Sequence, residues 1–426
     1  MVFRKYKAIT HFSKNNTRIF KDILNAKNVR KLPKFRVPEA LIGTGVNIVD
    51  PNVVNLDGQL KSPTSQFADL NKMNIPNLHV EEHPLYKAKS SLVFESTEPF
   101  SDGVDQALNL SNSVQEALWP DVYNKALDGV DWGTEKKEYE EVILTGERYD
   151  PTLEKLPRRF DPVIFWVVHP RVHGTPVVKR GNIILGNLYR KVLFSAGSES
   201  PLQKLRCDWD EPLSGCLDIP GAFGGKSLVM RGQPHMVLQG DGETKVWAGS
   251  NKVQETVNRA VPDISPINPI GDLTESHIYN LDSILARSRY NLHLNTVLTT
   301  IERDQKHPWT IEQNAANSVM TCFGAAVAQA FRSNGDNKNA TSIDRVEEKL
   351  NESPVMVKSV QLCNGKLDLV AFQLNSIKMN KSGVKNIVWL KKALPLYTPL
   401  PFWQNMNEVK DLNMETIKEF GRLILS

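Results

Sequence analysis

The residues best placed for chemistry run from Gly221 through Ala222, Phe223, Gly224, Gly225 and Lys226 to Ser227, a glycine-rich stretch ending in the Gly-Lys-Ser of a phosphate cradle. A Walker A loop needs four residues between its first glycine and the Gly-Lys pair, so that successive backbone N–H groups ring the phosphates. Three stand between Gly221 and Gly225, and Pro220 occupies the place of the first glycine. Gly43-Thr44-Gly45 lacks the third glycine of a dinucleotide fingerprint. His169 and His173 are four apart, as on the helix of a zinc protease, but Pro170 disfavours that helix and no glutamate follows His169 to act as base. Cys207 and Cys216 are too far apart in sequence for a zinc knuckle, with His235 only a distant third ligand. No Gly-x-Ser-x-Gly elbow occurs, and Asp208 with Asp210 is a commonplace acidic pair. No catalytic residue, metal site or cofactor is expected. The enzyme alternative, nucleotide binding, rests on the Gly221–Ser227 loop alone.

The elements legible around these residues point to packing. Thr310 and Gln313 have capping-box spacing, and Ile311, Ala315, Val319, Phe323, Val327 and Ala330 then recur on one helical face until Gly335 can stop the helix. Gly324, Ala325 and Ala328 are small enough to admit a neighbouring backbone. Residues 354–363 and 366–374 flank Asn364-Gly365, the pair suited to a type I′ turn, and 384–390 supplies a third strand. Phe323, Gly324, Val327, Ala328, Asn364 and Gly365 are thus candidates for core or partner docking. The fold expected is α+β, with an irregular basic N-terminal extension and a mixed body ending in a packing helix and an antiparallel three-strand meander.

Charge is unevenly spread. Residues 1–36 hold eleven Lys and Arg against Asp22, a local +10, while the whole chain is only +4. A basic arm on a mildly acidic body suits a nucleic-acid tail or a mitochondrial transit segment. Ile19, Phe20, Ile23 and Leu24 form a stripe opposite Arg18, Lys21 and Lys27, as an import amphipath needs. Phe3, Tyr6, Phe12 and Phe35 interleave with charge, as stacking on unpaired bases needs. Both readings stay open beside that of a solvated terminus. Candidate RNA contacts are Arg4, Lys5, Lys7, Lys14, Arg18, Arg30, Lys31, Lys34 and Arg36, with His83, Tyr86 and Lys87 downstream.

Residues 37–100 are rich in Pro, Gly and Asn and read as an extended segment, and 101–426 as the globular body. Ser101 can cap a helix carrying Val104, Ala107, Leu108, Val114 and Leu118. A second helix is expected near 121–127, a charged one near 135–146, and strands with loops over 207–249. The longest apolar run, Val163 to Val168, is far too short to span a bilayer and reads as a strand buried on both faces. Four scattered cysteines suggest no disulfide framework, consistent with a reducing compartment.

Five segments then carry a family resemblance: EEHPLYK at 81–87, GVDQAL at 103–108, ISPINPIGDLTESHIYN at 264–280, FGAAVAQA at 323–330, and VKSV…NGK…AFQLN continuing to GVKNIVWL at 383–390. In this order they resemble the metazoan mitochondrial large-ribosomal-subunit protein 37 family. A paralogous family, large-subunit protein 65, formerly small-subunit protein 30, shares the AQA helix and the QLN hairpin, while HPLYK favours protein 37. The resemblance implies a structural constituent of the mitoribosomal large subunit in the matrix. It also implies large-subunit rRNA and other mitoribosomal proteins as partners, above all protein 65. The competing class is the nucleotide-binding enzyme of the Gly221–Ser227 loop, and a third is an RNA-binding adaptor off the ribosome.

Overall fold

The structure is a computed structural model that describes residues 36–45, 90–130, 136–147, 154–159, 161–197, 200–219, 221–264, 273–277, 283–286, 290–301, 308–333, 342–400 and 408–426. The chain divides into two compact units, Met1–Leu78 and His79–Ser426. In the first, a 3-10 turn at Glu39–Leu41 follows Pro38, and Leu41 and Ile42 are exposed.

The second unit begins upstream of the expected boundary at residue 101. Strand β1 (Ser90–Phe94) already belongs to a sheet, and Phe94 stacks on Phe100 with ring centroids 5.5 Å apart. Helix α1 (Gly103–Leu110) is shorter than expected and has Asp102 at its N-cap. Asn112 takes φ 47°, so the chain turns and Val114 falls in strand β2 (Ser113–Glu116). Next come α2 (Asp121–Asn124), α3 (Lys136–Gly146), the small β3–β4 pair (Glu154–Lys155, His173–Gly174) and α4 (Val177–Ser195). Strands β5 (Arg206–Trp209), β6 (Leu213–Leu217), β7 (Ser227–Gly232) and β8 (Met236–Gly240) fill the region expected to hold strands. Helix α5 (Ser250–Glu255), β9 (Thr274–His277) and β10 (His293–Thr300) follow. The remainder is α6 (Ile311–Arg332), α7 (Ser342–Glu352), β11 (Val355–Cys363), β12 (Lys366–Leu374), β13 (Asn386–Pro395) and α8 (Met414–Leu425).

These elements make an α+β body of two main sheets. The larger has the order β2-β13-β12-β11-β10-β8-β5, and the smaller β6-β7-β1-β9. The expected meander is the centre of the larger sheet: β11, β12 and β13 are antiparallel, while β10 joins β11 and β2 joins β13 in parallel. Strand β12 shows how both faces of that sheet are buried. Val370, Phe372 and Leu374 point into one core with α6 and the small sheet, and Leu369 and Ala371 into the other. Helix α8 packs on β11 and β12 from the second side, where the α3–α4 pair also lies.

Helix α6 is the keystone. Thr310 and Gln313 form the capping box, Thr310 Oγ1 accepting from Gln313 N at 3.2 Å and Gln313 Oε1 from Thr310 N at 2.9 Å. Its burial is all round from Ala315 to Ala330, because the small sheet covers one side and the large sheet the other. Ile311, expected on the apolar stripe, is exposed at the helix mouth. A helix with no charge between Glu312 and Arg332 must find apolar cover on every side.

Candidate functional site

Four of the C-terminal candidates converge on the core, and Asn364 is exposed at the β11–β12 turn. Phe323 packs on Phe372 with centroids 5.4 Å apart, and Phe323, Gly324, Val327 and Ala328 are all buried between the sheets. An outside partner could reach them only through one sheet or the other. Gly324 is where backbones meet: a Cβ there would lie 2.8 Å from Met230 Cβ on β7. Asn364 and Gly365 take φ 46° and 72°, as a type I′ turn requires. A Cβ on Gly365 would also meet Pro399 Cδ at 2.9 Å.

The polar residues of the resembling segments latch buried backbone. Gln329, in the AQA stretch, accepts from Leu294 N at 2.9 Å and donates to Ser333 Oγ at 2.9 Å. Gln373, in QLN, accepts from Trp247 N and Ala248 N and donates to Ala248 O, pinning the loop before α5 onto β12. Asn386 accepts from Asn375 N and Ser376 N while donating to Ser111 O, so one amide joins three segments. Lys385 Nζ donates to the carbonyls of Thr256, Val257 and Gly383 at 3.0–3.1 Å. Each satisfies groups that would be costly to leave unpaired in the interior.

Buried charge is likewise held by architecture. Lys358, on β11, is 0% exposed, and its Nζ donates to Ile424 O at 3.3 Å and Ser426 O at 2.6 Å at the last turn of α8. Burial pushes its ammonium down to about 7. Asp368 accepts from Ala393 N at 2.8 Å and Gln361 Nε2 at 3.1 Å, and burial raises its carboxyl to about 6. Arg180 and Glu147 form a buried ion pair at 2.8 Å, with Tyr397 Oη donating to the second Glu147 oxygen. Glu419 gathers Tyr123, Lys391 and Arg422 beside the rings of Trp119 and Tyr123, over which Lys391 Nζ sits 5.0 and 4.7 Å from the centroids.

The chemistry candidates are dispersed. Gly221, Phe223, Gly224 and Gly225 all have positive φ, but the loop leads into strand β7 rather than a helix N-terminus, and Lys226 Nζ is 2.6 Å from Glu275 on β9. His173 lies in strand β4, which forbids the helical pairing with His169. Among the described residues no three His, Cys, Asp or Glu side chains are grouped to hold a metal, and the four cysteines are free thiols. Burial pushes the Cys207 thiol up to about 11, away from thiolate reactivity. No described helix is long and apolar enough to cross a membrane. Of the RNA candidates, Arg36 is exposed; Arg4, Lys5, Lys7, Lys14, Arg18, Arg30, Lys31, Lys34, His83, Tyr86 and Lys87 lie outside the described residues.

One expectation is overturned outright. Val163 to Val168 is no buried strand: Phe165 and Trp166 are 67% and 66% exposed, and Val163 and Val168 still more so. Asp161 Oδ1 accepts from Val163 N at 2.9 Å and Ile164 N at 3.3 Å, an Asx turn that folds the run into a knuckle, closed by Val167 N donating to Ile164 O. Pro162 and Pro170, which bracket the run, were the signal against a ladder strand.

No protein-family model matches the chain. It is similar to the large ribosomal subunit protein mL37 of Bos taurus, 25% identical over 333 residues that cover 76% of this chain and 70% of the bovine protein. The mL37 of Rattus norvegicus is 24% identical over 336 residues with the same coverage. That of Mus musculus is 28% identical over 180 residues, 41% of this chain and 40% of the mouse protein. Three mammalian relatives of one name, two of them matched along three quarters of this chain, make the mL37 family of large ribosomal subunit proteins the one that the chain resembles.

Proposed function

We propose that this chain is a structural constituent of the mitochondrial ribosome's large subunit, working in the matrix by packing on rRNA and on neighbouring ribosomal proteins, its paralog protein 65 among them. The observation that carries the reading is the match to mL37 along 76% of the chain. Two features support it. The polar residues of the shared segments are spent on holding the body together, as a scaffold needs and a reaction centre does not. The exposed Val163–Val168 knuckle is an apolar patch suited to burial in a larger particle. The basic stretch over residues 1–36, where retained after import, adds sequence-blind affinity for phosphate.

Sucrose-gradient fractionation of mitochondria with mass spectrometry tests the proposal. The chain should sediment with the large subunit; recovery in light fractions, with or without RNA, would instead support the off-ribosome adaptor. The nucleotide-binding alternative predicts saturable ATP or GTP binding lost in Lys226→Ala, and none is expected because Lys226 is engaged by Glu275.

A further inference from the structure

A polar cavity of about 450 Å³ opens where α4, α6 and the end of β10 meet the turns after β1, β5 and β7. Its size lies within the roughly 300–1,000 Å³ range of small-ligand sites. The most buried polar residue of its lining is Asn317, only 3% exposed, whose Oδ1 has no hydrogen-bond partner in the protein. The orientation of that amide is fixed. Gln361 Nε2 donates to Asn314 O at 2.8 Å and to Asp368 Oδ2 at 3.1 Å, which leaves Gln361 Oε1 to accept from Asn317 Nδ2 at 2.8 Å. Asn317 must therefore present an acceptor on its other side. Thr321, one turn along α6, also lines the cavity.

The outer lining carries two carboxylates, Glu95 and Asp210. Asp210 pairs with His235 Nδ1 at 3.2 Å and Glu95 with Arg231 at 3.3 Å, and both carboxylates are exposed at the mouth. A buried acceptor beneath acidic groups calls for a ligand made of donors, and guanidinium and ammonium groups donate without accepting. A phosphate-bearing ligand would meet both carboxylates.

We propose that this cavity binds a cationic N–H donor, a guanidinium or primary ammonium group, between the inner Asn317 Oδ1 and the outer carboxylates of Asp210 and Glu95. The cation can come from an arginine side chain of a neighbouring protein or from a free polyamine. Titration calorimetry on the full chain separates the sources, with N-acetyl-arginine amide, spermidine and the neutral isostere N-acetyl-citrulline amide as probes. Saturable binding of the arginine probe identifies a protein side chain, and of spermidine alone a polyamine; either supports the site. Asp210→Asn with Glu95→Gln should weaken the bound cation about tenfold or more, as loss of charge-assisted hydrogen bonds does. Asparagine tolerates the φ of 52° at position 210, so the melting temperature should hold. Thr321→Val should weaken binding in the same direction, and its own melt separates loss of contact from loss of fold. The proposal is overturned if neither cation saturates, if the citrulline probe binds as well as the arginine probe, or if uridine monophosphate binds more tightly than both cations.

Discussion

Gly215 on β6 and Gly324 on α6 meet backbone to backbone: a Cβ on Gly215 would overlap the Gly324 carbonyl oxygen and stand 2.9 Å from the Gly324 Cα. The atoms in the way are main chain and cannot rotate aside, so helix and small sheet must separate to admit even a methyl group. Gly215→Ala should destabilise by about 1–3 kcal/mol, the usual cost of overpacking. Urea denaturation checks it, and a midpoint equal to wild type would show that the sheet slides freely on the helix.

Phe323 lies fully buried in the same layer against Phe372. Phe323→Ala should cost about 3–5 kcal/mol, the transfer loss plus the cavity left behind. Mitochondria expressing this variant should lose the chain and, with it, assembled large subunits. Normal accumulation in pulse-chase experiments would contradict the packing described.

The turn Asn364-Gly365 carries a double constraint, a φ of 72° at Gly365 and the Tyr397–Pro399 segment against its Cα. Gly365→Val meets both, since a β-branched residue resists positive φ and its side chain has no room. Destabilisation should exceed that of Gly365→Ala, and both should exceed Asn364→Gly, which changes little because glycine adopts the same φ freely. Thermal melts of the three variants give the order, and any other order contradicts the double constraint.

Lys358 makes stability depend on pH with a definite sign. Its ammonium titrates near 7 in the folded chain against 10.5 when free. Between these values the unfolded chain holds the extra proton, so stability rises with pH, by at most about 1.4 kcal/mol per unit. Below about 7 both states are protonated and the full desolvation cost remains; above about 10.5 both are neutral and it is gone. Lys358→Met should flatten the rise between pH 7 and 10 in guanidinium titrations. Equal slopes in the two proteins would mean that the ammonium is solvated after all.

The Val163–Val168 knuckle offers a test that separates folding from assembly. Phe165→Ser with Trp166→Ser removes exposed rings and should leave the melting temperature of the isolated chain within about 0.5 kcal/mol equivalents of wild type, as surface changes do. The same variant should be depleted from large-subunit fractions. Full incorporation would show that nothing covers the patch.

Local signals with a local mechanism were legible in the sequence. Thr310 with Gln313 announced the start of α6, and Asn364-Gly365 fixed the β11–β12 register, because each acts on backbone atoms a few residues away. What pairs across distance was not. Nothing in Ser113–Glu116 says that it will lie parallel to β13, and the helical spacing that links Val114 to Val104 and Leu108 ignores the turn at Asn112. The run 163–168 shows the same limit from the other side, since apolar composition states a need for cover without saying whether this chain supplies it. The local signal for helix α8 is Asn413 at its N-cap, whose Oδ1 accepts from Glu415 N and Thr416 N. The cavity beside Asn317 draws on six separate segments, so no motif could spell it.

The order of strands in the larger sheet has a kinetic consequence. Strand β2 is among the first parts of the body to be synthesised, yet its partner β13 is nearly the last: Ser113 waits for Asn386. Closure of so distant a pair costs loop entropy before any contact repays it, which slows folding. Until then β2 has no partner strand, and its unpaired backbone can recruit any extended segment nearby. The newly made body should therefore engage chaperones for as long as that pair stays open, and its half-life should be set by how quickly β2 and β13 close.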